Sequence, residues 1–176
     1  PATLMDHAMI DRWAADENPT LRLIRAVVAA CAAEPALNAW FDGERRQLHQ
    51  RVDLAIAMDT PEGLFTPVLR GAQSEPDPGA QLEALKAAVR DRSIPREAMT
   101  DATITLSNFG MMGGEHGVLV ISPPQVAIFG AGRPAARRVL PLSLTFDHRV
   151  VTGGEAARFL AAARADLESH APDAKG

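Results

Sequence analysis

The stretch Leu140–Leu160, "LPLSLTFDHRVVTGGEAARFL", changes its backbone period in the middle. Leu142, Leu144 and Phe146 alternate with small or polar residues, the two-residue period of a half-buried strand. Beyond it "TGGE" has the form of a capping box, in which the Thr152 hydroxyl accepts from the Glu155 amide and the Glu155 carboxylate reaches back. Such a box opens a last helix, from about Gly154 to Glu168, with Ala157, Leu160, Ala161 and Leu167 available for its buried side. Asp147, His148 and Arg149 stand where the strand stops and the chain turns. A neutral imidazole fixed at the mouth of a strand is placed to act as a general base near physiological pH. The competing reading is a structural histidine paired with Asp147 or with a backbone carbonyl.

Strand patterns continue upstream. "ATITLSN", "GVLVIS", "QVAIFGAG" and "RRVLPLSLTF", each bounded by Gly, Pro or Ser, read as the strands that build most of a sheet. Before them "RVDLAIAM" puts Val52, Leu54, Ile56 and Met58 on one face, and "DTPEG" is turn chemistry leading into "LFTPVLR". "QLEALKAAVRDR", with Leu82, Leu85, Ala88 and Val89, is an amphipathic surface helix. The first third reads helical: "ATLMDHAMIDRWAADE" offers Leu4, Ala8, Ile10 and Trp13 at roughly helical spacing, and a second helix runs from Leu21 to Ala33, ended by Pro35. Helices early, strands late and one closing helix make an α/β layered domain rather than a doubly wound repeat.

The bulk numbers set limits. A chain of 176 residues, 47% hydrophobic and 23% charged, has the balance of a single globular domain. Eighteen basic against twenty-two acidic residues, a formal charge of -4, provide no electrostatic footprint for nucleic acid or an anionic membrane. Cys31, the only cysteine, lies in an alanine-rich apolar helix and reads as an inert buried thiol. No apolar run approaches eighteen residues and no leader pattern precedes the domain, so a cytoplasmic or mitochondrial-matrix location is expected. Pro1 in place of an initiator methionine reads as the start of a fragment. His7, His49, His116 and His170 show no metal-ligand spacing, and a metal site is not expected. "GMMGG" lacks the Lys-Ser/Thr of a phosphate-binding P-loop.

The string "SLTFDHRVVTGGEAARFL" resembles the closing signature of the catalytic domain of dihydrolipoamide acyltransferases, the core component of 2-oxoacid dehydrogenase complexes. "PALNAWFDGE", "VDLAIAMDTPEGLFTPVLR", "ATITLSNFG" and "ISPPQVAIFGAG" extend the likeness, in the family's order. It implies a chloramphenicol acetyltransferase-like two-layer α/β sandwich, a mixed sheet covered by helices, assembled as trimers into a larger cage. On it, residues 1–176 form the catalytic domain, incomplete at its N-terminal side where the family has an additional strand and helix. The lipoyl and peripheral-subunit-binding domains would lie outside this chain, and the partners would be the 2-oxoacid decarboxylase and dihydrolipoamide dehydrogenase components.

The implied reaction is thioester exchange between dihydrolipoamide and coenzyme A, with a branched-chain or acetyl group and no metal. His148 takes the position of the base that accepts a thiol proton, and Ser107 that of the donor to the tetrahedral oxyanion; a thiol is a weak nucleophile until deprotonated. The family's active site lies between neighbouring subunits, so the two are expected to meet across an interface. Asn108, Gly63 and Leu64 are expected along the substrate channel. Without the resemblance, Ser107 and Asn108 are simply the polar end of a strand. Arg149 is expected in an ion pair, with a coenzyme A phosphate as its alternative partner. The family's Asp-His-Arg-x-x-Asp-Gly carries an aspartate where this chain has Thr152. A hydroxyl keeps the helix cap but not the charge, so a catalytically inactive core subunit is the alternative reading.

Overall fold

The computed structural model describes residues 1–135 and 138–169. Among these residues ten strands are present: β1 (Ala2–Met9), β2 (Ala39–Phe41), β3 (Arg46–Leu48), β4 (Leu54–Ile56), β5 (Met58–Thr60), β6 (Gly63–Phe65), β7 (Val68–Leu69), β8 (Ile104–Asn108), β9 (Ala127–Ala131) and β10 (Val139–Phe146). Three helices, α1 (Pro19–Ala33), α2 (Pro78–Arg90) and α3 (Gly153–Glu168), complete the frame. Six strands form one sheet in the order β1-β10-β9-β8-β4-β7, while β2-β3 and β5-β6 are separate two-stranded ribbons. β8 runs parallel to β4 and β9, and every other pair in the sheet is antiparallel.

The two faces of the sheet differ because the side-chain period is two. Leu142, Leu144 and Phe146 of β10 and Phe129 of β9 are fully buried towards the helices, and the Phe129 ring meets Phe159 of α3 edge-on at 6.3 Å. The Asn18 side chain caps α1 by accepting from Thr20 and Leu21, and Pro19 follows at the first helical position. Leu23, Ile24, Val27 and Cys31 turn inward, and burial pushes the Cys31 thiol far above its ordinary value, as an inert structural cysteine requires.

The opposite face carries hydroxyls and a glycine. Ser143 and Thr145 of β10 flank Gly130 and Ile128 of β9 in register. Over them runs an extended segment, residues 117–121, whose amides at Gly117 and Leu119 donate to the Ser143 and Thr145 side chains at 3.3 and 3.1 Å. Gly130 makes this approach possible, since a Cβ there would lie 2.4 Å from Leu119 and 2.9 Å from Phe109. The composition of "GVLVIS" predicts a sheet strand; the segment is extended but joins no ladder, because side chains rather than a neighbouring backbone hold it.

The opening helix expected over residues 2–17 is a correction. Ala2–Met9 pairs with β10 along its whole length, and Ile10 continues the inward row of Leu4 and Ala8. Asp6 belongs to the same inward row and is neutralised by Arg164 of α3 at 2.9 Å, which hides the alternation from a hydropathy reading. In α3, Leu160 and Leu167 are buried as expected, but Ala156, Phe159 and Ala163 complete the inner stripe and Ala157 and Ala161 face out. Phe159 is the largest apolar side chain of that helix and sets its phase. No helix among the described residues is long and apolar enough to cross a membrane.

Candidate active site

β10 ends at Phe146, and the chain folds into a tight turn built on Asp147. Its carbonyl accepts from the amides of Val150 and Val151 at 3.1 and 3.0 Å, and its own amide donates to the Val126 carbonyl at 2.8 Å. The Asp147 carboxylate takes the Arg149 guanidinium in a two-pronged pair, at 2.9 Å through Nε and 2.6 Å through Nη2. That hydrogen bond, against the opposing effect of burial, holds the Asp147 carboxyl below its ordinary value. The Arg149 guanidinium lies 5.0 Å from the Phe41 ring centroid. Arg149 is thus in an ion pair, as expected, and Asp147 is engaged by Arg149 rather than by the histidine.

His148 is exposed between them, with its ring 5.4 Å from that of Phe146 and no side-chain hydrogen bond among the described residues. It opens on a cavity of about 710 Å³ walled by Phe41, Val118, Val120, Ile121 and Gln125. The segment that crosses the outer face of the sheet therefore forms one wall of the histidine's cavity. Val118 and Val120 point outward, 73% and 86% exposed.

Thr152 is the N-cap of α3. Its hydroxyl accepts from the Glu155 amide at 3.2 Å, and the Glu155 carboxylate accepts from the Thr152 amide at 2.7 Å, completing the capping box. Glu155 also accepts from Arg46 of β3 at 3.1 Å, and the same guanidinium bonds the Val150 carbonyl. The Arg46 bond foremost, with the Thr152 bonds behind it, lowers the Glu155 carboxyl to about 2. Sequence reasoning missed Arg46: it lies 104 residues from Val150, and nothing in its spacing marks it.

Ser107 occupies the other end of the site's geography. It is half-buried on the outer face of β8, level with Gly130, which is level in turn with Ser143. With Asn108, Leu64, Asp59, Met111 and Met112 it lines a cavity of about 210 Å³. That space adjoins a larger one of about 880 Å³ that shares Ala57, Asn108 and Met111. Asn108 donates to Thr20 of α1 at 3.4 Å. Leu64 is thus beside Ser107 and 67% exposed, whereas Gly63 serves the β5-β6 turn at a φ of 128° that favours glycine. Gly63 lines neither of these two cavities.

Register sets the distance between the two candidates. β10 runs against β8, so Phe146 is level with Ala127, near the start of β8, while Ser107 is near its finish. About five residues of strand rise and two interstrand spacings put His148 and Ser107 roughly 15–20 Å apart in one chain. They line different cavities. Among the described residues no cluster of three or more metal-ligating side chains occurs; His170 lies outside them.

Comparison with known proteins places this geometry. The chain is 37% identical over 161 residues to the lipoamide acyltransferase component of the branched-chain alpha-keto acid dehydrogenase complex of Pseudomonas aeruginosa, covering 83% of this chain and 38% of that protein. It is 35% identical over 158 residues to the dihydrolipoyllysine-residue succinyltransferase component of the 2-oxoglutarate dehydrogenase complex of Haemophilus influenzae, covering 82% and 39%. The chain therefore spans well under half the length of either relative.

Among solved structures, Azotobacter vinelandii dihydrolipoamide acetyltransferase superposes with a TM-score of 0.85 at 26% identity, covering 95% of this chain and 81% of that one. That structure was solved to define the role of a serine, a histidine and an asparagine in that enzyme's catalytic mechanism, the asparagine four residues after the histidine. The cubic core of the pyruvate dehydrogenase multienzyme complex matches at 0.79 and 27%, covering 95% and 81%. A chloramphenicol acetyltransferase, at 0.59 and 16% with 94% and 87% covered, shares the fold. The family model for the catalytic domain of 2-oxoacid dehydrogenase acyltransferases matches residues 14–172, and the chain belongs to that family.

Proposed function

We propose that this domain transfers an acyl group between dihydrolipoamide and coenzyme A at a site completed by a second copy of the chain. The observation that carries the reading is the separation of His148 from Ser107. Each stands at the edge of a cavity that is open in the single chain, at opposite ends of the same sheet. Apposition of two copies would bring the histidine end of one to the serine end of the other, and the relative solved as a cubic core supports such self-association.

In this reading His148 accepts the proton of the attacking thiol as its sulfur bonds to the thioester carbonyl carbon. Ser107 donates to the resulting oxyanion. Collapse breaks the bond to the departing sulfur, which takes the proton back from the imidazolium. Asn108 and Leu64 border the channel on the serine side. The acyl group is branched-chain or acetyl, and the size of the pocket's end decides between them. The lipoyl group would arrive on a domain outside this chain, and the decarboxylase and dihydrolipoamide dehydrogenase would act before and after it.

Thr152 supports a second reading, a core subunit without activity, because it stands four residues after His148 with its hydroxyl engaged in the helix cap. Acyl transfer from a panel of acyl-coenzyme A thioesters to free dihydrolipoamide separates the two. Transfer that collapses in His148→Ala supports the first; no transfer by an assembled protein, with any thioester, supports the second.

A further inference from the structure

The His148 ring has no hydrogen bond of its own among the described residues, so the turn that carries it must set its orientation. From within, that turn is closed by the Asp147 carbonyl and the Asp147–Arg149 pair. From without, one side chain grips it. Arg46 donates through Nη1 to the Val150 carbonyl and through Nη2 to Oε1 of Glu155. The other Glu155 oxygen holds the amide and hydroxyl of Thr152 at 2.7 and 3.0 Å. One guanidinium and one carboxylate thereby tie β3, the end of the His148 turn and the first turn of α3 together. Their side chains are 26% and 17% exposed, so solvent competes only weakly for these bonds.

We propose that Arg46 and Glu155 are a pair of positioning residues that fix the His148 turn against β3. The inference rests on His148 being the base. A planar fork suits two acceptors held at a fixed angle, which a lysine ammonium reproduces only in part. Displacement of a catalytic group by about 1 Å costs on the order of a hundredfold in rate, so loosening this grip acts on turnover more than on substrate binding.

The test uses the assembled protein and the thioester that the wild type prefers, with Arg46→Met, Arg46→Lys and Glu155→Gln compared well below their Tm. Glutamine keeps an acceptor for the Thr152 amide and loses the ionic grip, which separates pairing from capping. Arg46→Met and Glu155→Gln should lower kcat about ten- to a hundredfold with each KM within about twofold, and Arg46→Lys should recover part of the loss. In parallel, diethyl pyrocarbonate labelling of His148, mapped by mass spectrometry against exposed His7, should change at least about threefold in the two disruptive variants and less in Arg46→Lys. Unchanged kcat, or a raised KM at constant kcat, overturns the proposal. If the wild type transfers no acyl group, the catalytic reading fails and labelling alone decides the pair: unchanged His148 labelling in both disruptive variants refutes it.

Discussion

The two ends of the sheet that carry His148 and Ser107 are built differently. Around His148 the turn is held by the Asp147 carbonyl, the Asp147–Arg149 pair, the capping box and Arg46. Around Ser107 the one side-chain bond from its neighbour among the described residues is Asn108 to Thr20, and large apolar side chains stand in solvent: Met111 at 89%, Leu64 at 67% and Met112 at 65% exposed. One end is rigid within the single chain. The other has little to hold it, and apolar surface of the kind that is covered on association lies at both ends, Val118 and Val120 beside His148 included. A base must be oriented before the substrate arrives, whereas a hydroxyl donor can rotate into place once its cavity is closed.

Breaking either end should show this asymmetry. His148→Ala should have the largest effect, lowering kcat by about 10²- to 10⁴-fold without changing the size of the assembly, since the ring makes no hydrogen bond among the described residues. Ser107→Ala should follow at roughly 10²-fold in kcat, the cost of one oxyanion donor, with little change in Tm. Steady-state kinetics and size-exclusion chromatography check both. Equal losses accompanied by dissociation would mean that these side chains hold the assembly rather than the chemistry.

Much of this contrast is legible in the sequence, and the missing parts have a common cause. β4, β8, β9 and β10 carry their period on residues buried by their own sheet, and α2 and the capping box of α3 are local patterns. β1 is hidden because Asp6 interrupts its inward row while Met5 and Met9 fill the outward one, giving a spacing that resembles a helix. Trp13, read as part of that helix, is buried instead from an irregular loop by donating to the Leu167 carbonyl at 2.7 Å. Residues 117–121 have strand composition, yet their amides go to hydroxyls on β10 rather than to a ladder. At the site, the roles proposed for His148 and Ser107 rest on the family resemblance, and Thr152 as a cap on its spacing to Glu155. Arg46 is not legible, because its partners lie across the fold.

The segment that crosses the outer face of the sheet provides a graded test of packing. A Cβ at Gly132 would lie 1.9 Å from the Glu115 carbonyl oxygen, which is backbone, whereas at Gly130 it meets the ends of two side chains. Gly132→Ala should therefore destabilise the fold by about 3 kcal/mol or more and Gly130→Ala by about 1–2 kcal/mol, as overpacking generally does. Denaturant midpoints rank the two, and the reverse order would mean that segment 114–121 is not seated as described. Thr152→Ala follows at about 1 kcal/mol for a lost N-cap, while Thr152→Asp keeps the cap but sets a second carboxylate against Glu155 Oε2, which the Thr152 hydroxyl meets at 3.0 Å, and should recover only part of that loss.

The last comparison distinguishes the two ends by pH. The Glu155 carboxyl is lowered from 4.5 to about 2 by Arg46 and the Thr152 bonds. A carboxyl with a depressed value in the folded state binds its proton more weakly there than in the unfolded chain. Its contribution is therefore present in full above 4.5 and is lost as pH falls through the window down to about 2. Glu155→Gln has no such proton to take up, so its stability relative to the wild type should be lower near neutrality and should converge on it across that window. Ser107→Ala, with no titrating group removed, should run parallel to the wild type over the same range. Urea unfolding at intervals of pH checks both curves. A Glu155→Gln profile that also runs parallel would mean that the carboxylate is not held by Arg46 in solution, and the grip of Arg46 on the His148 turn would then rest on the Val150 carbonyl alone.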